Sequence, residues 1–114
     1  MKTKLFLLVL FVMVSFFGSS KNRVPYFKGG EEALSAYILK SVTYPEYARD
    51  RCIEGKVYVR FKVNRSGIVS DVKVVKKVSR VLDEEAVRVI STMPRWESGR
   101  KSVEYTIPIV FQLK

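Results

Sequence analysis

The side chains that perform most enzyme chemistry are scarce in this chain. It contains no histidine, so the usual imidazole base, proton shuttle and commonest metal ligand are all missing. Its one cysteine, Cys52, closes no intramolecular disulfide, and a lone thiol without an imidazole makes neither a zinc site nor a Cys/His dyad. No carboxylate pair with an evident shared site and no nucleophile beside a base can be picked out. Gly29-Gly30 has no strand before it, so it reads as a break ahead of a helix and not as a phosphate-binding loop. The expectation is a protein that is not an enzyme and uses no metal or cofactor.

What the chain offers instead is positive charge. Among its 114 residues, 21 Lys and Arg stand against 11 Asp and Glu, a net charge of +10, in a composition that is 47% hydrophobic. That length suits one domain, and that composition is globular and not disordered. Some of the charge has a pattern: Lys56, Arg60 and Lys62 alternate with apolar residues, Tyr58 lies among them, and Lys73 follows on a neighbouring segment. Basic and aromatic residues interleaved in this way are one feature of nucleic-acid surfaces, although solvated strand faces look the same.

The N-terminus argues against nucleic acid. Lys2 and Lys4 precede an uninterrupted apolar run from Leu5 to Phe17, and Gly18-Ser19-Ser20 follows before charge returns at Lys21. This is the layout of a secretory signal, with a cut expected after Ser20. If the segment is retained, it is a short N-terminal anchor, less than the roughly 20 apolar residues that span a bilayer. Residues 1–20 are therefore assigned as leader, 21–28 as a connector and 29–114 as the folded domain, exported and periplasmic. Loss of Lys2 and Lys4 lowers the net charge to +8. It also moves the partners to anionic envelope polymers, membrane surfaces or acidic protein segments.

Within the exported part, Leu34, Tyr37, Ile38 and Val42 recur at helical spacing behind Glu31 and Glu32. Pro45 opens a short second helix carrying Tyr47, Ala48 and Cys52 on one side, with Cys52 expected as a small buried residue. From Lys56 the period changes to two, with Val57, Val59, Phe61 and Val63 on one face. Asn64-Arg65-Ser66-Gly67 then turns the chain into a second strand with Val72 and Val74 inward, making a hairpin. A third helix is expected to start at an Asp83 cap, with Leu82 stapled to Val87 and a buried stripe of Ala86, Val87, Ile90 and Met93. In the last segment, Val103 to Leu113, Tyr105, Ile107, Ile109 and Phe111 alternate with Glu104, Thr106, Pro108 and Val110. Proline donates no ladder bond, so this strand belongs at a sheet edge. The order gives an α+β fold in two layers: a three-stranded antiparallel sheet with helices packed on one face.

Six stretches in this order resemble the C-terminal domain family of TonB, the periplasmic energy transducer. They are Phe27-Lys28-Gly29-Gly30, Tyr44-Pro45-Glu46-Tyr47-Ala48, Gly55-Lys56-Val57-Tyr58-Val59-Arg60-Phe61, Leu82-Asp83-Glu84-Glu85-Ala86, Met93-Pro94-Arg95-Trp96 and Tyr105-Thr106-Ile107-Pro108-Ile109-Val110-Phe111. The resemblance covers roughly Phe27 to Leu113 and implies a non-enzymatic role: the last strand accepts an extended peptide from an outer-membrane TonB-dependent transporter by strand addition. Carried onto this chain, the partner-binding residues are Val103, Glu104, Tyr105, Thr106 and Ile107. A second contact is implied just before the Tyr-Pro pair, at Ser41, Val42, Thr43 and Tyr44.

The residues themselves temper that assignment. Tyr105 and Ile107 are core on their inward face whatever the protein does, which leaves Glu104, Thr106 and the strand backbone for direct contact. Trp96 reads as a packed anchor. The family's membrane anchor normally carries a histidine for its motor, and this sequence has none. Two functions follow: a transport component that binds transporter peptides, or a stand-alone periplasmic module on peptidoglycan or another envelope protein, without energy coupling. An open edge strand also permits a homodimer by edge pairing.

Overall fold

The computed structural model describes residues 24–113 together with Leu5 and Phe6. The expected leader and the start of the connector otherwise lie outside the described residues. In chain order the elements are β1 (Leu5–Phe6), α1 (Gly30–Ser41), α2 (Glu46–Asp50), β2 (Gly55–Val63), β3 (Val69–Lys76), α3 (Arg80–Ser91) and β4 (Val103–Leu113). The antiparallel sheet runs β4-β2-β3, with β1 adding two residues at the end of β4, opposite Leu113 and Gln112.

Period-two patterning builds the sheet's inner face. Val57, Val59, Phe61 and Val63 of β2 are all fully buried, as are Ile107 and Ile109 of β4, with Tyr105 and Phe111 nearly so. The β2–β4 register is unbroken from Gly55 opposite Phe111 to Val63 opposite Val103. Onto this face pack Leu34 and Ile38 of α1, Ala48 of α2 and Leu82, Ala86, Val89 and Ile90 of α3. Helices on one face and an α+β fold in two layers are thus the observed architecture.

The β2–β3 turn follows from side-chain chemistry. Asn64 Oδ1 accepts from the N–H groups of Ser66 and Ile68 at 2.9 and 3.0 Å, an Asx-type arrangement. Gly67 sits at φ +89, where a Cβ would lie 2.0 Å from the Trp96 carbonyl oxygen. Trp96 N–H in turn donates to the Gly67 carbonyl at 2.8 Å, so the turn and the loop after α3 hold each other.

Five local expectations are corrected. The α3 cap is Ser79, whose hydroxyl accepts from Leu82 N–H, while Asp83 reaches back to Val78 N–H at 3.0 Å. With the start moved upstream, Leu82 becomes a core residue instead of a staple. The stripe of α3 runs through Val89, and Val87 is only half-buried. Cys52 is exposed because α2 ends at Asp50 and Cys52 adopts φ 55 in the turn that follows. Tyr47, within α2, is exposed as well, with the Arg51 guanidinium over its ring at 3.7 Å. Pro108 and Val110, on the face away from the helices, are nonetheless buried. They lie opposite Tyr58 and Lys56, whose ring and aliphatic stem are long enough to lie over them.

Candidate partner-binding edge

Two edges of the sheet are available, and they differ. On β3 the register with β2 shifts between Tyr58 and Val59 and again between Arg60 and Lys62, and Asp71 has φ 53. Bulges and exposed Lys73 and Lys76 are devices that discourage pairing with another strand. β4 has none of them: it is 11 residues long, in continuous register, and beyond the two β1 pairs its outer side meets no other described strand.

Which backbone groups of β4 face outward follows from two observations. Leu113 N–H donates to Glu54 Oε2 at 2.9 Å, on the β2 side, and Pro108, with no N–H to give, occupies a regular ladder position opposite Tyr58. Donors alternate between the two sides of a strand. Tyr105, Ile107, Ile109 and Phe111 therefore address β2, and Glu104, Thr106, Val110 and Gln112 address the edge. Pro108 interrupts the outward series, and Gln112 is taken by Phe6. The open stretch is Val103 to Ile107, where Glu104 and Thr106 supply the donors.

Side chains along this stretch divide by face. Tyr105 and Ile107 are buried, Glu104 is exposed, and Val103 and Thr106 are half-buried. The Tyr105 hydroxyl donates to the Pro25 carbonyl at 3.2 Å, and burial raises its pKa above the ordinary tyrosine value. Its ring stacks on Trp96 at 5.2 Å, and Trp96 meets Phe27 edge-on at 5.5 Å and Phe61 at 5.9 Å. Trp96 is the packed anchor its sequence context suggests. Its buried indole Nε1 has no hydrogen-bond partner among the described residues. Pro25 and Phe27 are buried and Tyr26 pairs with Glu97, so the end of the connector is part of the packed domain.

The second candidate segment is placed elsewhere. Val42 and Tyr44 are core residues, 6% and 8% exposed. The Tyr44 ring meets Phe111 edge-on at 5.5 Å and its hydroxyl donates to the Ile53 carbonyl. Burial, then the Glu54 charge and Cys52, raise its pKa. The backbone of its neighbours is held from α3: the Ser41 carbonyl accepts from Arg88 Nη2 at 2.8 Å, and Thr43 N–H donates to Glu85 Oε2 at 2.8 Å. Phe111 is about 13 Å along the strand from Ile107, so the structure does not bring Ser41–Tyr44 and Val103–Ile107 into one patch. Sequence reading missed the Glu85–Arg88 clamp, since an i,i+3 acid–base pair on a helix is ordinarily a surface contact.

The outer sheet face carries the basic set. Arg60 lies opposite Lys73 and Tyr58 opposite Lys76, whose ammonium is 5.7 Å from the Tyr58 ring. Lys62 faces Asp71 at 3.8 Å, whereas Lys56, Arg60 and Lys73 have no ion pair among the described residues. In that same set no group of three or more Cys, Asp or Glu side chains is placed to hold a metal ion, and no helix is long and apolar enough to cross a membrane.

Comparisons with known proteins agree with this architecture. The sequence profile of the Gram-negative bacterial TonB protein C-terminal matches residues 40–113. Protein TonB from two Helicobacter pylori strains is 37% identical over 73 residues, covering 62% of this chain and 26% of each relative. The chain thus matches about a quarter of the length of those relatives. Two solution structures of the Helicobacter pylori TonB C-terminal domain superpose with TM-scores of 0.60 and 0.59 at 32% and 31% identity. They cover 71% of this chain and 78% and 90% of theirs. The chain belongs to the TonB C-terminal domain family of Gram-negative bacteria.

Proposed function

We propose that this domain works in the periplasm as a non-enzymatic interaction module of TonB-dependent transport, binding an extended peptide of an outer-membrane transporter as an added strand on β4. The observation that carries the reading is the asymmetry of the two sheet edges: β3 is bulged and lysine-guarded, while β4 offers outward backbone groups at Glu104 and Thr106. Backbone pairing supplies affinity in this mode, and alternate side chains supply selectivity. The segment Ser41, Val42, Thr43 and Tyr44 is a separate second contact near Phe111, offered to a partner through Ser41 and Thr43, while Val42 and Tyr44 anchor it in the core and Glu85 and Arg88 hold its backbone.

Titration of the full chain with N-terminal peptides of co-encoded outer-membrane transporters should move amide NMR signals from Val103 through Ile107. Saturating peptide without movement there overturns the proposal. Thr106→Pro removes an outward donor and leaves the β2 ladder intact, so it should abolish binding while the protein folds. Glu104→Ala should weaken binding less. Ile107→Pro, which removes a donor to β2, should unfold the domain.

A second reading rests on the outer face, where Lys56, Arg60, Lys73 and Lys76 surround Tyr58. Four cations around one aromatic ring suit an anionic glycan such as peptidoglycan, bound without energy coupling. Co-sedimentation with isolated sacculi tests it: reversing Arg60 and Lys73 to glutamate should release the protein. The open β4 edge would also pair with its counterpart on another copy in a homodimer, and sedimentation equilibrium of the full chain tests that.

A further inference from the structure

Beside the open half of β4 is a cavity of about 170 Å³. Tyr26 and Phe27 wall it from the connector, Gly30 and Leu34 from α1, and Trp96 and Tyr105 from the far side; Glu31 is its one charged neighbour. The Phe27–Trp96 and Trp96–Tyr105 ring contacts fix much of the wall. A dry apolar cavity of about 150 Å³ accepts a benzene ring, so this one has room for a single ring or a branched aliphatic group. A carboxylate is disfavoured next to Glu31.

The residue that joins this cavity to the edge is Tyr105. Its ring is part of the cavity wall, while its sequence neighbours Glu104 and Thr106 present the open donors. A strand bonded to those donors places its helix-side residue about 5 Å from the Tyr105 Cβ. Building on strand addition as the mode of binding, we propose that the partner segment seats one apolar side chain, of leucine or phenylalanine size, in this cavity. The cavity then sets specificity for a peptide whose backbone contacts alone carry none. Tyr26, 51% exposed, is the rim residue that closes over the side chain.

The test uses the full chain and short end-blocked peptides that alternate valine and threonine between terminal glutamates, with phenylalanine or alanine at the central apolar position. Trp96 is the only tryptophan, so its fluorescence reports on the cavity, while amide NMR at Glu104 and Thr106 reports on the edge. Both peptides should move the edge amides. The phenylalanine peptide should bind about tenfold more tightly, as burial of a ring predicts, and it alone should shift Trp96 emission. Tyr26→Ala, a change at an exposed rim, should reduce that preference several-fold while the edge amides still respond, and Tyr47→Ala should not. Equal affinities with a silent Trp96 overturn the anchor cavity and leave strand addition standing. A Trp96 response without edge shifts overturns the coupling of cavity to edge, and failure of every peptide to move the edge overturns strand addition together with the anchor.

Discussion

Arg88 grips Glu85 at two points, Nε to Oε1 at 2.9 Å and Nη2 to Oε2 at 2.7 Å, and the pair holds the chain between α1 and α2. One partner serves the Ser41 carbonyl and the other the Thr43 N–H. The hydrogen bond to Glu85 raises the Arg88 pKa further, so the cation persists at every pH at which the protein folds. The clamp ties together segments more than 40 residues apart.

The two members are not equivalent. The Glu85 side chain is 12% exposed and that of Arg88 is 49% exposed, so solvent screens the arginine side more. Glu85→Ala, which also strips Thr43 N–H of its acceptor, should cost about 1–2 kcal/mol in urea denaturation, and Arg88→Ala about 0.5–1 kcal/mol. Equal losses would show that the Thr43 bond contributes nothing.

The start of α3 has a primary and a secondary cap. Ser79→Ala should lower stability by about 1 kcal/mol, because Leu82 N–H loses its acceptor. Asp83→Ala should cost about half as much, since Val78 N–H lies outside the helix and can turn to water. Thermal unfolding monitored by circular dichroism checks the order.

Two positive-φ positions should respond in opposite directions. Cys52 holds φ 55 on the surface, so Cys52→Gly should be neutral to stabilising by about 0.5 kcal/mol. Gly67→Ala should destabilise by about 3 kcal/mol, because the new Cβ meets the Trp96 carbonyl. The native Cys52 thiol should also react with a disulfide reagent without denaturant.

Alkaline stability follows from Tyr105 and Tyr44. Burial raises both phenols above their unfolded value of about 10, so neutral tyrosine is favoured in the fold. The stabilisation is complete below pH 10 and is lost as pH rises beyond it toward the folded pKa values. In denaturation curves collected across that range, Tyr105→Phe should start from a lower plateau, having lost the bond to Pro25, and should fall less steeply.

How far the sequence could be read depended on the range of the forces involved. The sheet and helices were legible because Val57, Val59, Phe61 and Val63 repeat at period two, and Leu34 and Ile38 at helical spacing, and each pattern buries one face. Ser79 and Asp83 are both good capping residues, so residue type alone does not place the start of α3; the hydrogen bond from Leu82 N–H selects Ser79. Helical spacing from Ala48 predicts a buried Cys52, but α2 ends at Asp50 and the chain turns through Cys52 itself in a left-handed conformation, which puts the thiol on the surface.

By itself the sequence determined the element order from α1 onward, the α+β class, the family resemblance and the exclusion of imidazole chemistry, all of which rest on residue identity and local periodicity; it did not anticipate β1. The edge position of the last strand was also legible in the sequence, through Pro108; only the tertiary structure decided that β3 is the guarded edge and that the backbone donors of Glu104 and Thr106 turn away from β2. The same holds for the cavity walled by Tyr105, Trp96 and Tyr26, and for Ser41 and Thr43 being held by α3. The physical reason is range: strand order, the side to which a backbone donor turns and the walls of a cavity come from contacts such as Tyr105 to Pro25, 80 residues apart, which no local pattern encodes.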